Sequence, residues 1–162
     1  MSPARNVEIK ARVADLATVA PVNIGQRDTF FNVARGRLKL RRFDDGSGEL
    51  IFYERDDTTG PKTSRYSKAS CADATEMEAV LARTLGVRGV VEKRRELFML
   101  GRTRVHLDEV HGLGHFLELE VVLRDGEPAV DGEREAHDLL AKLGVPAAAL
   151  VAPAYIDLLE KG

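Results

Sequence analysis

The sequence predicts an α+β fold dominated by antiparallel strands, with several helices packed outside them. Three observations predict it. Apolar residues recur at every second position through much of the chain, the strand period. A few stretches carry apolar residues at helical spacing instead, with cap and stop signals at their ends. Short Gly-rich segments separate strand-like runs, as hairpins require.

The first strand is Asn6 to Val13, with Val7, Ile9, Ala11 and Val13 on one face and Asn6, Glu8, Lys10 and Arg12 on the other. Asp15 to Ile24 reads as a short helix, weakened by Pro21. Arg37 to Arg41 alternates again, with three cations on one face. Asp44-Asp45-Gly46-Ser47-Gly48 is a hairpin loop leading into a strand from Leu50 to Arg55, and Asp56 to Lys62 is a second loop. Asp73 and Glu76 form a capping-box pattern that opens a helix over Ala74–Leu85, stopped by Gly86. Val90 to Leu100, Arg102 to Val110 and Phe116 to Leu123 are further strands. Glu133–Leu143 is a helix ended by Gly144-Val145-Pro146, and Pro146–Glu160 a terminal helix kinked or split at Pro153.

Composition removes several function classes. The chain has 162 residues, enough for one domain spanning 1–162, and 44% hydrophobic residues can fill a core. With 24 Lys and Arg against 26 Asp and Glu, the formal charge is −2, so no general nucleic-acid coat is expected. The single Cys71 excludes an internal disulfide or a Cys-based zinc site and fits a reducing cytoplasm, and its place at a helix start marks it as structural. Residues 1–25 hold no continuous apolar run, so neither a signal peptide nor a membrane partner is expected.

The charges are segregated by sign. A solvent face normally mixes signs, because like charges side by side repel. Arg37, Lys39 and Arg41 are all cationic, Lys93 and Arg95 repeat the pattern, and Glu118 and Glu120 are both anionic. Same-face positions add Lys10, Arg55 and Arg104 to the cations, and Glu8 and Asp108 to the anions. If the sheet closes with these faces inward, the interior is a polar tunnel that a polyphosphate and a hard divalent cation would neutralise together.

These residues resemble a known family. Asn6-Val7-Glu8-Ile9-Lys10 is similar to the N-terminal Glu-x-Glu-x-Lys signature of the CYTH superfamily, the triphosphate tunnel metalloenzymes. The resemblance continues in order through Gly36–Arg41, Tyr53-Glu54-Arg55, Lys93-Arg94-Arg95, Leu107–Val110 and Gly112–Glu120. It implies an eight-stranded antiparallel closed β-barrel with helices outside. It further implies a divalent-metal-dependent enzyme that holds a triphosphate (ATP, thiamine triphosphate or inorganic tripolyphosphate) inside the barrel. Carried over by position, Glu8, Asp108, Glu118 and Glu120 would hold Mg²⁺ or Mn²⁺. Lys10, Arg37, Lys39, Arg41, Arg55, Arg65, Lys93, Arg95 and Arg104 would bind phosphate, with Lys10 orienting or activating the nucleophile. Asn6 replaces the first signature Glu and brings no charge, so a second metal ion should be weaker or absent.

The Gly-Leu-Gly-His-Phe turn and Tyr155 to Leu159 are closest to class IV adenylate cyclases, although Ala154 stands where those members carry Ser. Hydrolysis of tripolyphosphate or thiamine triphosphate is the competing reaction, and a binding protein without turnover a third reading. Analogy with cyclase-type members also implies a homodimer. His106, His111 and His115 are expected at the surface or supporting other residues, because their spacing straddles a turn. Lys62 is expected to be a solvated loop residue, and no P-loop motif is present.

Overall fold

The computed structural model describes residues 3–12 and 22–162. Eight strands follow in chain order: β1 (Ala4–Arg12), β2 (Val22–Phe31), β3 (Arg37–Phe43), β4 (Gly48–Arg55), β5 (Lys62–Cys71), β6 (Val87–Leu100), β7 (Thr103–Val110) and β8 (Gly114–Val122). All neighbours pair antiparallel and close into a barrel ordered β1-β5-β4-β3-β2-β6-β7-β8. Among the described residues three α-helices pack on the barrel: α1 (Ala74–Leu85), α2 (Ala129–Lys142) and α3 (Tyr155–Glu160).

The apolar core has two parts: clusters between the barrel and helices α1 and α2, and a cluster at the α3 end whose Phe30, Ile51, Tyr53 and Val91 also line the barrel interior. On β1 and β8 the outward residues Val7, Ile9, Leu117, Leu119 and Val121 are buried against Ala136 and Leu140 of α2. Each such side chain contributes about 1.5–3 kcal/mol by leaving water. Helix and sheet approach closely at Gly132, where a Cβ would stand 2.8 Å from Leu123 and 2.9 Å from Val7. Helix α1 covers Phe31 and Leu40, and α3 packs Tyr155 and Ile156 against Phe116 and Val91. The Asp73 side chain accepts from the Glu76 backbone N–H, so the capping pattern starts α1 as its sequence requires.

Three expectations need correction. Val22–Ile24, read as the end of a helix, begin strand β2; the rest of that stretch lies outside the described residues. Lys62 to Cys71 is a full strand, unrecognised because polar residues occupy both of its faces. The terminal segment is more than kinked at Pro153. A 3-10 turn, Ala147–Ala149, gives way to extended backbone that bridges Leu150 to Ala11 and donates the Val151 N–H to the Lys10 carbonyl at 2.9 Å. Only from Tyr155 does α3 begin, and it lies across the barrel end where β3 and β6 start.

Candidate functional site

Alternation along the strands sends one side-chain set outward to the helices and the other into a cavity of about 350 Å³. Strand β1 sends in Asn6, Glu8 and Lys10; β3 sends Lys39 and Arg41; β4 and β5 send Arg55 and Ser64. Strand β6 adds Lys93 and Arg95, β7 Arg104 and His106, and β8 Glu118 and Glu120. The proposed cations and carboxylates are therefore brought together with few exceptions.

The basic wall is organised by a residue that sequence patterning missed. Asp28 on β2 is 2% exposed and stands opposite Arg41 in register. Its carboxylate accepts from Lys39 Nζ at 2.8 Å and from Arg41 Nε and Nη2 at 2.8 and 2.9 Å. Burial opposes its charge, yet Arg41 and Lys39 hold it well below the usual carboxylate range. Burial and the neighbouring Arg41 bring Lys39 down to about 8. Burial, with Arg95 alongside, brings Lys93 down to about 7. On the strand period, β2 shows Ile24, Gln26, Asp28 and Phe30 on one face, but polar residues stand where apolar ones are sought, so the signal is inverted.

Asp108, expected among the carboxylates for metal, does not line the cavity. It is fully buried, with Oδ1 and Oδ2 each accepting from Arg95 at 2.7 Å, and Oδ2 also accepts from the Tyr155 hydroxyl at 2.8 Å. Lys93 Nζ is 3.6 Å away. Both oxygens are thus engaged, and the residue anchors two cations and the α3 tyrosine instead of facing the cavity. Arg65 is exposed on the outer face, in register with Glu54 and Arg5, because it is one position out of phase with Ser64 and Tyr66. Arg37 stands at the end covered by α3, where its Nη2 pairs with Asp157 at 2.7 Å and Asp57 at 3.0 Å. Lys62, expected in solvent, is buried and donates to the Thr58 and Ala152 carbonyls, with burial holding it down at about 8.

The acidic wall is compact. Glu118 lies 3.5 Å from Lys10 Nζ and 3.2 Å from Arg95 Nη2. Burial opposes its charge, but Lys10, the His106 hydrogen bond and Arg95 keep it well below its ordinary value. Glu120 is the opposite case, raised by burial and by the charges of Glu8 and Glu118. Glu8 stands opposite Glu120 in register and pairs with Arg55 Nη1 at 2.7 Å. His106 is buried in the position expected for a supporting histidine. Arg104 Nε donates to its Nε2 at 3.4 Å, which leaves Nδ1 facing Glu118 Oε1 at 3.4 Å. Burial, then Arg95, lowers His106 to about 4, so the ring is neutral near pH 7. His111 and His115 lie instead at the β7–β8 turn.

This wall suits a divalent cation. One ligand atom each from His106, Glu118 and Glu120 lie within 4.8 Å of one another. Asn6, in the same cavity, has a buried Oδ1 with no hydrogen-bond partner, a free acceptor beside the carboxylates. Lys10 completes the floor: it is buried, its Nζ is 4.0 Å from the Tyr155 ring centroid, and burial lowers its pKa although Glu118 pulls the other way.

Known proteins share the sequence family and the fold. Residues 4–155 match the CYTH domain family. The chain is 33% identical over 144 residues to the adenylate cyclase CyaB of Aeromonas hydrophila, covering 84% of this chain and 73% of that protein. The fold of the PH1012 protein from Pyrococcus horikoshii superposes with a TM-score of 0.81 at 20% identity, over 94% of this chain and 98% of the other. A Vibrio parahaemolyticus protein superposes with a TM-score of 0.76 at 22% identity, over 96% and 97% of the two chains. No described helix is long and apolar enough to cross a membrane.

Proposed function

The chain belongs to the CYTH domain family, and on that premise we propose that its barrel binds the triphosphate of ATP with a divalent cation and forms cyclic AMP and pyrophosphate. The observation that carries this reading is the division of one cavity into two walls. Lys39, Arg41, Lys93 and Arg95 stand on one, and Glu8, Glu118 and Glu120 on the other. A triphosphate supplies anionic oxygens to the first wall, and its counter-cation supplies charge to the second. The similarity to an adenylate cyclase favours cyclisation over hydrolysis.

Glu118, Glu120 and His106, joined by Glu8 and Asn6 Oδ1 from the neighbouring strand β1, are the residues that would hold the cation; Asp108 is left out because Arg95 and Tyr155 occupy it. A divalent ion held there would supply Lewis acidity for phosphoryl chemistry. The chain's own groups do the positioning. In-line attack by the 3′-oxygen on the α-phosphorus breaks the bond to the bridging oxygen, and the departing pyrophosphate gathers negative charge. Arg41, Arg95 and Lys39 are fixed by Asp28 and Asp108, so they can receive that charge without reorganising. Lys10, held between Glu118 and the Tyr155 ring, orients the nucleophile and can hold or release a proton at Nζ.

Incubation of the purified protein with ATP, thiamine triphosphate and tripolyphosphate, under Mg²⁺ and then Mn²⁺, tests the proposal. Cyclic AMP from ATP is expected. Orthophosphate without cyclic AMP replaces cyclisation by hydrolysis, and tight binding with no product reduces the site to a binding function.

A further inference from the structure

One buried acceptor in the cavity is used neither by the phosphate wall nor by the acidic wall. Gln26 lies on the inward face of β2, is 8% exposed, and its Oε1 has no hydrogen-bond partner. An amide oxygen cannot bind a phosphate oxygen, since both are acceptors. Burying it unpaired costs stability that a donor from a ligand would recover. Gln26 is in register with Phe43, the last residue of β3, and one inward position from Ile24. Val122, the last residue of β8, also lines the cavity. Ile24, Phe43 and Val122 thus lie toward the barrel end opposite α3, at one mouth of the cavity.

We propose that this mouth is a subsite for an amino-bearing heteroaromatic ring attached to the triphosphate, its face against Phe43 and its N–H donated to Gln26 Oε1. The inference rests on the triphosphate reading of the tunnel and names the residues that would recognise the group attached to it. Adenine in ATP and the aminopyrimidine in thiamine triphosphate both carry the required donor. Inosine triphosphate offers a carbonyl at the corresponding position, which would face the Gln26 oxygen acceptor to acceptor, and tripolyphosphate has no ring.

Titration calorimetry with ATP, inosine triphosphate, thiamine triphosphate and tripolyphosphate, in EDTA, tests the subsite. In the wild-type protein ATP or thiamine triphosphate should bind about tenfold or more tighter than inosine triphosphate, because a missing donor leaves the buried oxygen unpaired. Which of the two binds tighter identifies the source of the ring. In Gln26→Leu that preference should vanish while tripolyphosphate affinity is retained. Phe43→Ala, at the half-buried rim, should weaken all three ring-bearing ligands and spare tripolyphosphate. If inosine triphosphate matches ATP and thiamine triphosphate while tripolyphosphate binds, the subsite is wrong and the tunnel reading stands. If tripolyphosphate does not bind, the tunnel reading fails and takes the subsite with it.

Discussion

Asp108 and Arg95 face each other across β7 and β6 and form a bidentate ion pair, both contacts at 2.7 Å, with neither side chain in water. Asp108 is thereby a support for the basic wall. Asp108→Asn would leave Arg95 buried with Glu118 as its remaining anionic partner, and breaking such a pair costs about 3–5 kcal/mol. Urea unfolding should show that loss, while Mn²⁺ affinity stays near the wild-type value. Unchanged stability with lost Mn²⁺ binding would return Asp108 to the metal ligands.

Arg41 and Arg65 separate an inward from an outward cation. Arg41→Ala should weaken tripolyphosphate binding by about 1.5–3 kcal/mol, the range for a charge-assisted hydrogen bond. Arg65→Ala, on the outer face, should change it by less than about 0.5 kcal/mol. Calorimetry on both variants checks the assignment of faces, and equal losses would contradict it.

Two lysines make triphosphate binding depend on pH. In the free protein Lys93 titrates at about 7 and Lys39 at about 8. A bound polyanion favours their charged forms, so above pH 7 binding must take up protons. Below about pH 7 both are already largely charged, and their contribution to the affinity levels off. Between pH 7 and 9 the affinity for tripolyphosphate should therefore fall by about tenfold or more. Calorimetry at pH 8 in two buffers of different ionisation heat should detect the proton uptake directly.

Glu120 is crowded by Glu8 and Glu118, and both burial and those charges raise its pKa. Glu120→Gln should lower Mn²⁺ affinity at least tenfold, read from the free-ion electron paramagnetic resonance signal, without lowering stability. Unaltered Mn²⁺ affinity would place the cation elsewhere.

The strands with an apolar outward face were legible in sequence, because Val7, Ile9 and Ala11, or Leu117, Leu119 and Val121, must meet a helix. The inward charges followed by parity, and so did most of the candidate site. What escaped has a common physical cause: the barrel interior is polar. In β5 the inward Lys62, Ser64 and Tyr66 alternate with outward Thr63, Arg65 and Ser67, leaving no apolar period to detect. In β2 the buried face carries Gln26 and Asp28. Pairing choices were equally hidden. Nothing local to Arg37 announces Asp157, 120 positions away, and nothing local to Asp108 announces Tyr155, 47 positions on. Which cations point inward is a question of period; which are already occupied is a question of tertiary contact.

The most direct test of the account is a crystal structure grown with tripolyphosphate and Mn²⁺. The triphosphate should lie within the barrel along Lys39, Arg41 and Arg95, with the anomalous manganese peak beside Glu118 and Glu120. Density for tripolyphosphate in the outer groove lined by Arg27, Arg42 and Arg94, with the barrel interior free of it, would contradict the central claim.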